Sequence, residues 1–134
     1  MQQYLGAVTL VVPSYAEGLR FYVGSLGFTC VADVALSPGK RWVLVAPPGG
    51  SQTRLLLAEA STEAQEGVIG NQAGGRVFLF LHTDDFWRDH RRFKAAGVTF
   101  LEEPRSEAYG TVAVFQDPFG NKWDLLEPAG GTPS

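Results

Sequence analysis

The chain has 134 residues, 45% hydrophobic and 19% charged, with a formal net charge of -3 at pH 7. That size and balance fit one globular domain that buries roughly two-thirds of its unfolded surface without disulfide or metal staples. The acidic balance excludes a general nucleic-acid binder, which needs a basic surface, and the single cysteine, Cys30, excludes an internal disulfide.

Residues 4–12 are rich in Val, Leu and Thr and stop at Pro13-Ser14, as a strand followed by a break. The apolar run 7–12 is too short for a signal core or a membrane span, and no basic region precedes it. With one cysteine, the expected setting is the cytoplasm, with no membrane partner and no nucleic acid. Ser14 and Glu17 form a capping box, and Leu19, Tyr22, Val23 and Leu26 follow at helical spacing until Gly27 ends the helix. Strands are predicted over 28–34, 41–46 and 54–59, separated by Ser37-Pro38-Gly39 and Pro47-Pro48-Gly49-Gly50. Cys30, inside the first of these, is expected to be buried and inert. In the strand 41–46 both faces are partly apolar, so alternation leaves open whether Arg41 or Trp42 points inward.

Residues 60–75 read as a linker. A strand is predicted over 76–82, and Asp85 caps a helix running to about Ala96, with Gly97 as its stop. The basic group Arg88, His90, Arg91, Arg92 and Lys94 lies beside Asp85 and Asp89 on that helix and is read as a solvated face. Strands over 97–102, 111–116 and 122–127 complete the pattern. Pro118-Phe119-Gly120-Asn121 forms the last turn, and a loose tail ends the chain. The boundaries are thus one module at 4–59, a linker at 60–75, a second module at 76–127 and a tail at 128–134.

The second half echoes the first at an offset of 70 residues: Leu26-Gly27-Phe28-Thr29 returns as Ala96-Gly97-Val98-Thr99, Val43-Leu44-Val45 as Ala113-Val114-Phe115, and Pro48-Gly49-Gly50 as Pro118-Phe119-Gly120. The fold class is α+β, β-α-β-β-β written twice, since neither half can bury both a sheet face and a helix stripe alone. No glycine-rich phosphate loop follows a strand, and no serine or cysteine nucleophile sits in a recognisable turn.

The strings Val8-Thr9-Leu10-Val11-Val12, Phe21-Tyr22, Leu26-Gly27-Phe28 and Phe115-Gln116-Asp117-Pro118-Phe119-Gly120-Asn121-Lys122-Trp123-Asp124-Leu125 resemble the vicinal oxygen chelate superfamily of glyoxalases, extradiol dioxygenases and bleomycin-resistance proteins. The resemblance implies tandem βαβββ modules curved into a half-barrel around a cleft, with helices on the convex side, often completed by dimerisation or strand exchange. In the metal-dependent members it also implies a divalent ion held by side chains, typically histidine or glutamate, from the first and last strand of each module. The first-strand positions map to Ala7 and to Phe78, or Val77 by the strict offset, none of which can bind a metal. The last-strand positions map to Asp124 and to Arg54, or to Leu56 if the intervening loop is two residues longer. A guanidinium has no lone pair to give. No metal or other cofactor is therefore expected, the alternative being a divalent ion near Asp124.

The cleft-facing candidates are Thr9, Arg54, Leu56, Phe78, Phe80, His82, Tyr109 and Asp124. An ionised Asp124 in an apolar trough either takes up a proton or finds a cation, for which Arg54 is the candidate, with an exposed Arg54 and a backbone-bonded Asp124 as the other reading. His82 either bonds to the following helix cap or works as acid and base. Tyr109 lies in a loop placed to cover the cleft. The expected activity is binding or sequestering a small organic ligand, as a homodimer. The alternatives are a lyase or dioxygenase with a non-standard ligand set, a metal-free acid–base catalyst, and a module whose cleft is filled by side chains.

Overall fold

The computed structural model describes residues 1–49 and 52–130 and has two compact units, Met1–Ile69 and Gly70–Ser134. Each carries one mixed sheet with a helix on one of its faces.

In unit 1, β1 (Ala7–Val12) leads into α1 (Tyr15–Leu19), whose Ser14 cap accepts from the Glu17 amide. The helix then widens into a π-helical segment over Arg20–Ser25, where one continuous α-helix was expected. The wider turn lets the consecutive Phe21 and Tyr22 both point inward, at 6% and 0% exposure. Gly27 ends it with φ 80°. β2 (Thr29–Ser37), β3 (Lys40–Ala46) and β4 (Arg54–Glu59) complete a sheet of order β1-β4-β3-β2, with β1 and β4 parallel. β2 runs three residues past the expected end and Cys30 on it is exposed, because β2 is an edge strand that none of the described residues of the unit covers. The core is Leu10, Val12, Val43, Val45, Leu55 and Leu57 against Tyr15, Phe21, Tyr22 and Leu26.

The stretch expected as a plain linker contains α2 (Glu63–Val68). Thr62 accepts from the Gln65 amide while Gln65 Oε1 reaches back to accept from Ser61, a displaced capping box that satisfies the first-turn donors. In unit 2, β5 (Val77–His82) is followed by α3 (Phe86–Ala95), capped by Asp85. The strand expected over 97–102 shortens to β6 (Thr99–Phe100), and an unforeseen β7 (Arg105–Glu107) appears after Pro104. The ladder breaks because the Glu102 carboxylate, not a backbone carbonyl, accepts the Val114 amide at 3.0 Å. β8 (Gly110–Gln116) and β9 (Lys122–Pro128) close the order β5-β9-β8-β6, with β7 also on β8. Pro128, assigned to the tail in sequence, ends β9, and residues 131–134 of that tail lie outside the described residues, as does Gly50 of the first Pro-Gly turn.

The Asp-Pro-x-Gly-Asn turn is held by one carboxylate. Asp117 Oδ1 accepts from the amides of Phe119, Gly120 and Asn121, and Oδ2 accepts from Asn121 Nδ2 at 2.7 Å. Gly70, at φ 73°, lies so close to this turn that a Cβ there would sit 1.8 Å from the Phe119 carbonyl oxygen.

Candidate functional site

Side-chain alternation gives each sheet two faces, and the helix decides which is which. In unit 1 the Tyr15 hydroxyl of α1 donates to the Arg41 carbonyl and accepts from its amide, and the Arg41 guanidinium lies 4.8 Å above the Tyr15 ring. Arg41 is therefore on the helix side with Val43 and Val45, and Trp42 and Leu44 turn to the other face. The register pairs Ala7 with Arg54, and Thr9 and Leu44 with Leu56. This face is thus Ala7, Thr9, Val11, Trp42, Leu44, Arg54 and Leu56. Thr9 is exposed, and Leu56 and Arg54 are half-buried. Among the described residues Arg54 has no salt bridge, and its Nε is buried without a hydrogen-bond partner.

In unit 2, Phe93 of α3 meets Phe115 at 5.5 Å and Phe115 stacks on Trp123 at 5.8 Å. Both Phe115 and Trp123 belong to this buried helix side. The opposite face carries Phe80 and Val114 on either side of Asp124, and His82 and Val112 on either side of Leu126. Phe80 is 60% exposed and Asp124 only 8%. Phe78 falls at a register shift in β5 and is half-buried. His82 is exposed, and the hydrogen bonds of the loop after β5 go to Thr83 instead, which donates to Asp89 and accepts from the Asp85 amide.

Asp124 is the chemically distinctive group. Its Oδ1 is buried and unpartnered. Burial pushes the carboxyl above the ordinary range; Arg105 nearby pulls it down, and Glu102 pushes it up again. Arg105 donates through Nε to both Glu102 oxygens at 3.0 Å and through Nη1 to Glu107 at 2.8 Å, with the Tyr109 hydroxyl 3.4 Å away. Because Glu102 is bonded to Val114, the neighbour of Asp124 across the ladder, the charged cluster is anchored beside that carboxyl. A carboxyl biased toward its neutral form, with one free oxygen on an apolar face, can donate or accept a hydrogen bond. Arg105 and Glu102 were missed in sequence; the signal was a Glu–Arg pair at i,i+3 bracketing Pro104, which read only as a strand end. Among the described residues, neither Arg54 nor Asp124 makes a direct ion pair within its own unit, and the positive charge nearest in effect to Asp124 is Arg105 rather than Arg54.

The structure corrects one histidine. His90 was read as solvated, yet it is 9% exposed, stacked on Phe86 at 5.4 Å and against Phe100 at 4.5 Å. Phe86, His90 and Phe93 share the buried stripe of α3, whereas Arg88, Arg91, Arg92 and Lys94 are exposed as expected. Burial pushes the His90 imidazole below its usual value, helped by Lys94 and opposed by Glu103. An open hollow of about 610 Å³ is lined by Gln2, Gln3, Tyr4 and Leu5, none of them a site candidate. Among the described residues no three His, Cys, Asp or Glu side chains are grouped to hold a metal ion.

Comparison with known proteins gives the same architecture. Residues 4–125 match the Glyoxalase/Bleomycin resistance protein/Dioxygenase superfamily. An uncharacterized protein of Shewanella frigidimarina (strain NCIMB 400) is 52% identical over 128 residues, 95% of each chain. The crystal structure of UcmS2 superposes with a TM-score of 0.82 at 28% identity, covering 95% of this chain and 99% of that one. TnmS3, an antibiotic binding protein from Streptomyces sp. CB03234, superposes with a TM-score of 0.77 at 29% identity, covering 96% and 98%.

Proposed function

This chain belongs to the Glyoxalase/Bleomycin resistance protein/Dioxygenase superfamily, and from that membership we propose that it binds and sequesters a small organic molecule without a catalytic metal ion. The observation that carries the reading is the donor set. The four positions where the resemblance places metal ligands hold Ala7, Phe78 or Val77, Arg54 or Leu56, and Asp124. Three of these positions offer no lone pair, and a divalent ion needs several converging N or O donors. The side chains do not fit such an ion. They suit an organic ligand instead: apolar side chains for its body, Phe80 as an exposed aromatic surface, and the Asp124 carboxyl as one aimed polar group. The antibiotic-binding description of TnmS3 supports the same activity.

The protein is proposed to work as a cytoplasmic homodimer. Val31, Val34, Leu36 and Trp42 in unit 1, and Phe80, Leu101 and Tyr109 in unit 2, are large hydrophobic side chains left exposed on one chain. Tyr109, 54% exposed and tethered through Arg105, is proposed to close over the ligand.

The test is titration of purified protein with bleomycin and a panel of aromatic antibiotics, followed by tryptophan fluorescence and equilibrium dialysis with and without chelator. Saturable binding, unaffected by chelator and with ligand recovered intact, is expected. Asp124→Leu should weaken binding about tenfold, the loss of one well-made hydrogen bond, while Asp124→Asn should retain most of it. Recovery of a chemically altered ligand, or a requirement for a stoichiometric divalent ion, would overturn the reading in favour of a lyase or dioxygenase.

A further inference from the structure

Three arginines are less than fully exposed among the described residues: Arg41, Arg54 and Arg105. Two of them are fully paired. Arg41 grips Asp33 through Nε at 3.0 Å and Nη2 at 2.7 Å, and Arg105 grips Glu102 and Glu107. Arg54 has no such carboxylate, although its Nε–H is sealed from solvent. A guanidinium stays protonated at any physiological pH, so this donor remains charged and unsatisfied.

Among the described residues no carboxylate pairs with it. Arg54 pairs with Ala7 on β1, and continuing the β3–β4 register from Leu44 and Leu56 puts Ala46 on its other side. Two alanines flank it, and Thr9, Leu44 and Leu56 continue the same face. Unit 2 shows what a satisfied cation at this place looks like. Lys122 opens β9 as Arg54 opens β4, two residues before Asp124 and Leu56 respectively, and its Nζ donates to the Gly75 carbonyl at 3.0 Å.

We propose that Arg54 is a carboxylate receptor, so that the ligand of this protein is an organic acid whose apolar body lies along Ala7, Leu44 and Leu56; this rests on the small-molecule reading above. The planar oxygen pair of a carboxylate matches the two Nη groups of a guanidinium, which at Arg54 are not closed off from solvent as Nε is. A phosphate dianion fits less well, because one cation on an apolar face would leave its second charge unmatched.

The experiment compares three probes of one shape, 2-naphthoate, 2-naphthalenemethanol and 2-naphthyl phosphate, by calorimetric titration of the full chain at about pH 8, where the acid is ionised. The proposal expects naphthoate to bind about tenfold tighter than the neutral alcohol, and tighter than the phosphate. The acid-to-alcohol ratio should fall to near one in Arg54→Gln and be partly restored in Arg54→Lys. Equal affinity of acid and alcohol in the unaltered protein, which needs no variant to fold, overturns it, as does a preference that survives in Arg54→Gln or a phosphate that binds tightest. Absence of binding by all three also overturns the carboxylate assignment, but it counts against the small-molecule reading only if the antibiotic panel fails too.

Discussion

Gly18 in α1 and Asp89 in α3 hold corresponding places, each one turn after the residue that caps its helix, and the two units use them in opposite ways. A Cβ on Gly18 would lie 3.1 Å from Leu57 Cδ1 and 3.2 Å from Val12 Cγ1, so the backbone of α1 lies directly on its sheet. Asp89 instead carries a buried carboxylate that accepts from Thr83, Arg88 and Arg92. Although burial opposes it, these donors hold Asp89 below the ordinary carboxylate range. The entries to the two helices are nevertheless built alike. Glu59 of β4 accepts from the Tyr15 amide at 3.1 Å, and Glu127 of β9 accepts from the Phe86 amide at 2.8 Å. One β-α-β-β-β course thus tolerates either close van der Waals contact or a buried ionic network under its helix, provided that the helix entry is tied to the last strand.

The turn before the last strand offers the largest contrast. Asp117→Ala strips three amides and Asn121 of their acceptor and should cost about 4 kcal/mol in urea unfolding, whereas Pro47→Ala, in the turn before β4, should cost about 0.5 kcal/mol. Equal losses would remove the distinction between the turns. Next, Asp89→Ala should destabilise by about 3 kcal/mol and Gly18→Ala by about 1 kcal/mol, since loss of the shared acceptor of the buried Thr83 hydroxyl and two arginines outweighs a shift of a few tenths of an ångström at Leu57 and Val12. The shared helix entries predict similar, smaller losses of about 1 kcal/mol for Glu59→Gln and Glu127→Gln. If only one responds, the likeness of the entries is geometric and not energetic.

The finest comparison is one of pH. Leu19 of α1 corresponds to His90 of α3, one residue beyond Gly18 and Asp89. The folded-state pKa of His90 is depressed, so the unfolded chain binds its proton first. Stability is therefore present above about 6.5 and is lost as pH falls through the lower folded value. Asp124 runs the other way: its raised folded value contributes stability below the ordinary carboxylate pKa of 3.8 that is lost as pH rises through the folded one. Between about pH 8 and about pH 5 the urea midpoint should drop in the native protein and stay flatter in His90→Leu. A drop of the same size in both would take His90 out of the account.

Much of this was legible in the chain. Ser14 and Asp85 announced both helices, Gly27 and Gly97 their ends, and strict alternation around Leu10, Val12, Leu55 and Leu57 the buried sheet face. The duplication itself was visible, although its constant offset was not structural: the turn leading into β4 is two residues longer than the one leading into β9, so Asp124 corresponds to Leu56 and Arg54 to Lys122. What stayed hidden were the places where a side chain replaces a backbone partner. Glu102 ends β6 by taking the Val114 amide, and Gln65 starts α2 by reaching Ser61. Neither leaves a periodic trace.

The order of residues alone determined that two sheets and their helices would form, because period-2 and period-3.6 apolar patterns and capping residues act over a few positions along the chain. Only the tertiary structure decided the electrostatics. Whether Arg54 or Arg105 is paired, whether His90 is wet, and whether Asp124 has a partner all depend on which groups the sheet register brings within about 3 Å, and Coulomb and hydrogen-bond energies change steeply over that distance.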